Sequence, residues 1–382
     1  MKFSAVQPQV WDRLVRTWQR DRVGNAYLFA GPQGCGKEWG ALEFARLLNC
    51  ESATTEPCGT CPACIPFKSL QHPNLKLVYP LPTDNRSRDQ DGNPLVAISD
   101  RDLKTLTDLI AAKGRDPFVK IQLPKARRIR IDSIRELRKT IYLKQSGKGR
   151  KLVIILDAHL LSEGQGESAN ALLKILEEPP EGTTLILVSD YKSALLPTVI
   201  SRCQPIYFPP LANEVMMQLC RERKLPDNQI NYITGIARGN LHRALALAEL
   251  SSQDLIDQAE TMVSQLVTEK ATGWNTFLQN QSMLAFRKPL EFQLRIYLLQ
   301  FWFHNANLFR LDPEKVELPD LSPRLKRFNT AFPQANYAGI NLALEALLES
   351  IARNLYLPLT LINILLSIQD CLQGKDPVLL NT

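Results

Sequence analysis

Short apolar runs alternate with helical patterns through the first 210 residues of the chain. Four of these runs are continuous and have the length of strands: residues 27–30, 152–156, 185–188 and 206–208. Continuous apolar strands that are separated by helices indicate parallel strands buried on both faces. The pattern therefore predicts an α/β domain over residues 1–210.

The pattern changes at two places. Residues 80–124 are mostly polar, with one predicted helix near 103–112, and this stretch is predicted to be an insertion. After Pro209 and Pro210 the strand pattern stops. Residues 211–250 then predict a small helical domain with a turn at Gly239 and Asn240, and residues 251–382 predict a second helical domain.

Composition and charge are those of a folded, multidomain protein. The 382 residues are 45% apolar, which is enough to bury the cores of two or three domains and excludes a disordered chain. The net charge of +7 is compatible with a polyanionic partner. The longest apolar stretch, residues 355–368, is shorter than the roughly 20 residues that cross a bilayer. With no signal-peptide pattern at the start, we expect a cytoplasmic protein that makes no membrane contact.

Residues 26–37, AYLFAGPQGCGK, combine a strand, a glycine-rich loop and the start of a helix. Gly31, Gly34 and Gly36 let backbone amides turn toward an anion, and Lys37 is expected to reach the β and γ phosphates of a nucleotide. The complete motif continues with Ser or Thr, whose hydroxyl binds Mg²⁺, but Glu38 stands at that position. The sequence therefore predicts a nucleotide-binding fold with a weakened catalytic site.

The second half of such a site is an aspartate that follows an apolar strand. Asp157 follows the predicted strand at 152–156 and would hold the metal ion. Enzymes with this motif that hydrolyse ATP carry a glutamate next, which polarises the attacking water, and here the residue is Ala158. His159 is either its substitute or an ordinary histidine at the start of a helix. Together with Glu38, this loss predicts a degenerate site that does not hydrolyse ATP. We also expect ATP binding there to be weak or absent.

Four of the eight cysteines lie within fifteen residues: Cys50, Cys58, Cys61 and Cys64. In a reducing compartment, clustered thiols indicate a metal site rather than disulfides. Two-residue gaps allow adjacent thiolates to converge on one ion, and Zn²⁺ prefers a closed tetrahedral shell of sulfurs in structural sites. We therefore predict a structural zinc module over residues 50–64.

A basic segment follows the insertion, and its candidate nucleic-acid contacts are Arg130, Arg135, Arg138 and Lys139. Ser133 and Glu136 have the spacing of a capping box, which predicts that a helix begins at Ser133. The basic residues would either contact phosphates of DNA or form a solvated helix face. The sequence does not distinguish these two alternatives.

Four segments together resemble the AAA+ clamp-loader subunits of bacterial DNA polymerase III, and among them the delta-prime branch. They are AYLFAGPQGCGK, the cysteine cluster, SANALLKILEEPPEGT (168–183) and LLPTVISRCQPIYFPPL (195–211). The resemblance covers about residues 20–250 and is looser beyond them. It implies an AAA+ core over 1–210, a helical lid over 211–250 and a helical collar over 251–382. Such a collar joins five subunits around primer–template DNA.

The resemblance also implies a role for Arg202. In gamma-type relatives each ATP site is completed by an arginine of the neighbouring subunit, within a Ser-Arg-Cys motif that Ser201, Arg202 and Cys203 match. Such an arginine finger stabilises the charge on the transferred phosphoryl group. The alternative for Arg202 is a salt bridge at a helix end.

The lid motif of ATP-hydrolysing relatives is also altered in this chain, and this change too points to a subunit that does not hydrolyse ATP. His242 stands where those relatives have a sensor arginine, and Arg243 lies one position further on. Neighbouring helical positions face about 100° apart, so we expect Arg243 not to replace that sensor.

The resemblance favours a clamp-loader subunit that acts as a stator without hydrolysing ATP. Its implied partners are the gamma/tau and delta subunits, the sliding clamp and primer–template DNA. An alternative is a gamma/tau-type or related AAA+ ATPase that uses Lys37 and Asp157. A zinc-ribbon protein that binds nucleic acid alone is a third hypothesis, which leaves the phosphate-binding loop unexplained.

Overall fold

The computed structural model of the chain describes residues 1–82, 94–96, 98–143, 149–268, 274–316, 318–352 and 356–377. The chain divides into two compact units, Met1–Leu211 and Ala212–Thr382. The further division of the second unit into lid and collar stays a prediction.

The first unit contains a five-stranded sheet and helices on both of its faces. Its strands are β1 (Ala26–Ala30), β2 (Leu75–Val78), β3 (Lys151–Ile155), β4 (Thr183–Ser189) and β5 (Gln204–Tyr207). Its helices are α1 (Phe3–Val6), α2 (Pro8–Gln19), α3 (Lys37–Leu47), α4 (Cys64–Lys68), α5 (Asp100–Arg115), α6 (Ile131–Ile141), α7 (Glu167–Glu177) and α8 (Pro197–Ile200), with short 3-10 helices at Ala158–Leu161 and Lys192–Ala194.

All five strands are parallel and lie in the order β2-β3-β4-β1-β5. Ala30 at the end of β1 pairs with Ser189 at the end of β4, and Ile155 at the end of β3 pairs with Leu187. The carboxyl ends of these three strands therefore lie side by side. In open α/β sheets, ligands bind outside the carboxyl ends of the strands.

Successive strand residues face opposite sides of the sheet, and each side has its own apolar core. Tyr27 and Phe29 pack with residues of α2, α3 and α5, whereas Leu28 packs with residues of α6, α7 and α8. The four predicted strands and the α/β class are confirmed. Strand β2 was not predicted from the sequence, because only Val78 of this short strand is fully buried and its apolar run is therefore brief.

The capping-box prediction at the start of α6 is wrong. The helix begins at Ile131, two residues before Ser133, and no side chain caps it. Ser133 is buried in the first turn, and its hydroxyl has no hydrogen-bond partner. Burial of Ile134 and Leu137 in the core outweighs the local capping signal and sets the position of the helix.

The predicted insertion is only partly described, since residues 83–93 and 97 lie outside the described residues. Its helix, α5, is longer than predicted, and Ser99 caps it by accepting a hydrogen bond from the backbone N–H of Asp102. After α5, residues 116–124 return toward the sheet. Ile121 and Leu123 are buried there in the core that covers one face of the sheet.

The described part of the second unit is helical. Its helices are α9 (Asn213–Glu222), α10 (Asp227–Ala237), α11 (Leu241–Ala248), α12 (Ser252–Thr268), α13 (Trp274–Arg287), α14 (Pro289–Leu311), α15 (Ser322–Ala331), α16 (Tyr337–Ala352) and α17 (Leu357–Leu372), with 3-10 helices at Pro313–Lys315 and Pro319–Leu321.

Two local predictions for this unit are confirmed. The turn at Gly239 and Asn240 lies between α10 and α11, where Gly239 has a φ of 79° and the Asn240 side chain caps α11. The long apolar stretch forms α17 from Leu357 onward, with Pro358 in its first turn. Among the described helices, none has both the length and the apolarity that a bilayer crossing requires.

Candidate functional site

The glycine-rich loop leaves the carboxyl end of β1 and leads into α3. A Cβ on Gly31 would lie 2.2 Å from the carbonyl oxygen of Phe208, so no side chain fits there. Gly36 has a φ of 89° immediately before α3, in the left-handed region that favours glycine, and Gly34 lies in the turn between them. The loop thus has the strand–turn–helix setting that the motif predicts.

Lys37 of this loop is bound to a carboxylate of the chain itself. Its side chain is buried, and its Nζ lies 2.7 Å from Oδ1 of Asp190 and donates a hydrogen bond to the carbonyl of Pro32 at 2.6 Å. Burial disfavours the charged amine, but the Asp190 carboxylate and the Cys35 thiol together outweigh this effect and raise the pKa of Lys37. The Lys37 amine, which is predicted to contact phosphate, is therefore already paired with the carboxylate of Asp190.

Asp190 was missed by the sequence analysis. Asp190 follows β4 directly, and β4 lies between β1 and β3. Its carboxylate therefore lies at the carboxyl ends of these strands, beside the start of the glycine-rich loop. An acidic residue immediately after an apolar strand was the available signal. The sequence did not show that this strand neighbours β1.

Asp157 lies just after β3 at the same edge of the sheet. Its backbone is left-handed, with a φ of 47°, which is strained for a residue other than glycine and is common at functional sites. Its carboxylate accepts a hydrogen bond of 2.9 Å from Nζ of Lys120. The predicted metal ligand is thus paired with an amine.

Lys120 joins the two aspartates. Its Nζ lies 2.8 Å from Asp190, 2.9 Å from Asp157 and 3.9 Å from Glu38. Burial opposes the charge of Lys120, but the three carboxylates together raise its pKa well above the ordinary value. For Asp190, burial would raise the pKa, yet Lys120 and Lys37 hold it well below the ordinary value. No motif marks Lys120, so the sequence analysis missed it.

Glu38 is engaged in the same network. Its carboxylate forms an ion pair with Lys113, which also donates hydrogen bonds to the carbonyls of Pro117 at 3.1 Å and Val119 at 2.7 Å. Lys113 thereby ties Glu38 to the segment that carries Lys120. Glu38 is therefore linked through Lys113 to residues 117–119.

The position of the missing catalytic glutamate is apolar and enclosed. Ala158 is fully buried, and His159 is buried beside it. Burial lowers the pKa of His159, so its ring is neutral at pH 7. That ring packs edge-on against Tyr191, with 5.1 Å between the centroids.

Arg202 lies on the surface of the first unit, just after α8. Its Nη2 is 2.6 Å from Oε1 of Glu177, and its Nη1 donates to the carbonyl of Thr198 at 2.9 Å. The side chain of Arg202 is 35% exposed. Cys203 of the same motif is buried, whereas Ser201 and Arg202 are exposed, so the charged group of this motif is accessible to a partner.

The four clustered cysteines converge as predicted. Their Sγ atoms all lie within 4.8 Å of one another, with Cys58 and Cys64 at 3.9 Å and Cys50 and Cys61 at 4.0 Å. Sulfurs bound tetrahedrally to zinc, with Zn–S bonds of about 2.3 Å, lie about 3.8 Å apart. Backbone N–H groups of Cys58, Cys61 and Cys64 donate to neighbouring sulfurs at 3.2–3.4 Å. The four residues therefore fit a tetrahedral metal ion.

The predicted nucleic-acid residues on and before α6 are not equivalent. Arg130 is largely buried and pairs with Asp132 at 3.0 Å. Arg135, Arg138 and Lys139 are exposed. Their spacing of three and four residues places them on one face of the helix, and the structure thus presents three of the four predicted side chains to solvent.

Arg243 is held inside the second unit. Its guanidinium lies 3.3 Å from the carboxylate of Glu345 and 4.7 Å from the ring centre of Tyr297. The side chain is 7% exposed. This placement agrees with the expectation that Arg243 does not replace the sensor arginine.

A glycine-rich loop after β1, with Asp157 after β3 of a parallel sheet, defines a P-loop fold. A sequence model of the family described as "DNA polymerase III, delta subunit" matches residues 6–212, which is more than half of the chain. The chain belongs to this family. The resemblance to clamp-loader subunits drawn from the motifs is thereby confirmed.

Individual relatives agree with the family match. The DNA polymerase III subunit delta' of Bacillus subtilis is 26% identical over 330 residues, covering 85% of each chain. The delta' subunit of Haemophilus influenzae is 23% identical, covering 67% of this chain and 64% of the relative. The tau subunit of Bacillus subtilis is 26% identical over 250 residues, which cover 64% of this chain but only 36% of that protein.

Proposed function

We propose that the chain is a cytoplasmic clamp-loader subunit of the DNA polymerase III holoenzyme that acts as a stator without hydrolysing ATP. In this role it assembles with gamma/tau and delta subunits and helps to load the sliding clamp onto primer–template DNA. The similarity to delta' subunits along most of the chain supports this assignment.

The ion pair between Lys37 and Asp190 carries the non-hydrolysing part of the proposal. A P-loop lysine acts by contacting the β and γ phosphates, and here its amine is buried against a carboxylate at 2.7 Å. A triphosphate would have to displace that carboxylate and bear its negative charge close by. Glu38 and Ala158 remove the usual metal ligand and the usual group that polarises water.

The same proposal assigns Arg202 as an arginine finger for the ATP site of a neighbouring subunit. A guanidinium offers planar, bidentate hydrogen bonds that match phosphate oxygens. Its surface position and its match to the Ser-Arg-Cys motif support a role in trans. In the structure the side chain contacts Glu177 and the carbonyl of Thr198 at the surface.

A structural zinc ion completes the proposal. Cys50, Cys58, Cys61 and Cys64 would bind it through four thiolates, leaving no open coordination position for catalysis. The ion would supply only stability, by joining the loop after α3 to the start of α4. Arg135, Arg138 and Lys139 would contact DNA phosphates within the assembled complex.

The alternative function is that of a gamma/tau-type ATPase, and two measurements separate it from the stator. The purified chain is expected to show no ATPase turnover above background. In the complex reconstituted with its partner subunits, Arg202→Ala is expected to lower turnover at the neighbouring site by roughly a thousandfold. The total ATPase activity of the complex, summed over its several sites, is expected to fall by a smaller factor.

Arg101→Ala is the matched control, because Arg101 is also an exposed arginine but lies on α5, away from the Ser-Arg-Cys motif. This variant should leave the complex fully active. Turnover by the purified chain would establish the ATPase alternative. Unchanged ATPase and clamp loading in the Arg202→Ala complex would refute the finger assignment.

A further inference from the structure

The candidate nucleotide site holds two charges of its own where a metal–nucleotide complex would place its charges. The Asp190 carboxylate lies on Lys37, the residue that contacts phosphate in a P-loop site. The Lys120 ammonium lies on Asp157, the residue that binds the metal ion in such a site. The opposite signs of the two occupants match those of phosphate and metal.

We infer that Lys120 and Asp190 form an internal substitute for the metal–nucleotide complex. The Lys120 ammonium takes the place of the divalent cation, and the Asp190 carboxylate takes the place of a phosphate. The two form an ion pair at 2.8 Å, which corresponds to the contact between the metal ion and a phosphate oxygen in a nucleotide site.

The charges of this network balance. Three ammonium groups face three carboxylates: Lys37, Lys113 and Lys120 against Glu38, Asp157 and Asp190. These side chains are at most 18% exposed, so an added divalent cation or triphosphate would leave uncompensated charge in a poorly solvated place. The site is therefore electrostatically complete without a ligand.

The backbone that carries Lys120 is packed as part of the core. Phe118 is buried, and its ring contacts the ring of Trp39 of α3 edge-on at 5.7 Å between centroids. Ile121 and Leu123 are buried on the other side of Lys120. Anchors on both sides hold the amine at the strand ends, so the arrangement does not depend on one flexible side chain.

This inference gives residues 113–123 of the predicted insertion a role. In a P-loop site that binds ATP, the metal–nucleotide complex supplies the charges that pair with the lysine and the aspartate. In this chain a segment of its own supplies them, which suits a stator that keeps one shape throughout the cycle of its neighbours. The inference deepens the proposed function and rests on it for this purpose.

The test uses the purified full-length chain and compares Lys120→Met with the wild type and with Lys104→Ala. Lys104 is an exposed lysine of α5 and provides the control. Mg²⁺ and Ca²⁺ are the probes, because these hard cations prefer oxygen ligands and do not compete for the thiolate cluster. The readout is the melting temperature with and without the cation.

Without added cation, Lys120→Met is expected to melt on the order of 10 °C below the wild type, because it leaves an unpaired buried carboxylate. Millimolar Mg²⁺ or Ca²⁺ is expected to restore much of this loss by binding at Asp157 and Asp190. The wild type and Lys104→Ala should show no shift with either cation.

A second variant covers the case in which Lys120→Met does not fold. Lys120→Met combined with Asp157→Asn removes one charge of each sign, so it is expected to fold and to show no response to Mg²⁺. A failure of the double variant to recover stability would overturn the inference. A cation response of the wild type equal to that of Lys120→Met, or equal melting of Lys120→Met and Lys104→Ala under all conditions, would also overturn it.

These experiments need no partner subunit, whereas the Arg202 experiment needs the assembled complex. The internal substitute can therefore fail while the arginine finger stands. Likewise, the arginine-finger assignment can fail while the internal substitute stands.

Discussion

The guanidinium of Arg202 lies 2.6 Å from the carboxylate of Glu177, the last residue of α7. Both side chains are substantially exposed, at 35% and 48%. Ion pairs between exposed groups contribute little to stability, because water and salt compete with them. The pair can therefore open at small cost when a more strongly charged anion, such as the phosphoryl group of a neighbouring site, is presented to Arg202.

Arg202→Ala is expected to change the free energy of unfolding of the purified chain by less than about 1 kcal/mol, as is Glu177→Ala. Denaturant unfolding of both variants measures this directly. A loss of several kcal/mol would show that Arg202 serves the fold of its own chain, which would undermine its assignment to a partner's site.

Cys61→Ser is expected to abolish binding of one zinc ion per chain and to lower the melting temperature, because three thiolates no longer close the tetrahedral shell. Metal analysis of the purified protein and thermal unfolding are the measurements. Cys220→Ala, a change of a buried cysteine in the second unit, should keep the zinc content of the wild type. Equal zinc content in the wild type and Cys61→Ser would rule out the cluster as the binding site.

The Asp190 carboxylate makes stability depend on acid pH. Its pKa in the folded chain lies well below the ordinary 3.8, chiefly because Lys120 and Lys37 outweigh the effect of burial, so it stabilises the fold above pH 3.8. Asp190→Asn should cost about 3–5 kcal/mol at pH 7, since it leaves the buried Lys37 ammonium without its carboxylate partner. This difference should shrink as pH falls below 3.8 toward the folded pKa.

Unfolding free energies of the wild type and Asp190→Asn across this pH range provide the measurement. Asp12→Asn, a change of an exposed carboxylate on α2, is the control and should stay close to the wild type at neutral pH. A difference between wild type and Asp190→Asn that does not vary with pH would contradict the charge network.

Arg138→Ala combined with Lys139→Ala is expected to weaken binding of primer–template DNA by the assembled complex. If both side chains contact phosphates, the slope of log affinity against log salt should decrease by about 2. Arg101→Ala, on a different helix, should leave the slope unchanged. Equal slopes for the double variant and the wild type would favour the alternative in which this face of α6 is only solvated.

Sequence alone determined the features that depend on residues close together along the chain. The glycine-rich loop needs one strand, one turn and one helix in succession, and all its essential residues lie within 26–37. The cysteine cluster spans fifteen residues, so its convergence follows from short-range geometry. The losses at Glu38 and Ala158 could be seen in the sequence because each position has a fixed place in its motif.

Local signals failed where packing outweighed them. The spacing of Ser133 and Glu136 predicts a helix start, but burial of Ile134 and Leu137 moved that start to Ile131. The strand β2 was missed because it pairs only with β3 at one edge of the sheet, where a short and partly exposed run leaves a weak pattern.

Only the tertiary structure decided what fills the nucleotide site. Lys120 is separated from Asp157 by 37 positions and from Asp190 by 70, and no spacing along the chain relates them. They meet because β4 lies between β1 and β3 and because Ile121 and Leu123 pack into the core of the sheet, which brings Lys120 to both aspartates. Which strands become neighbours is set by burial of the whole sheet between two layers of helices, a property that no short stretch of sequence contains.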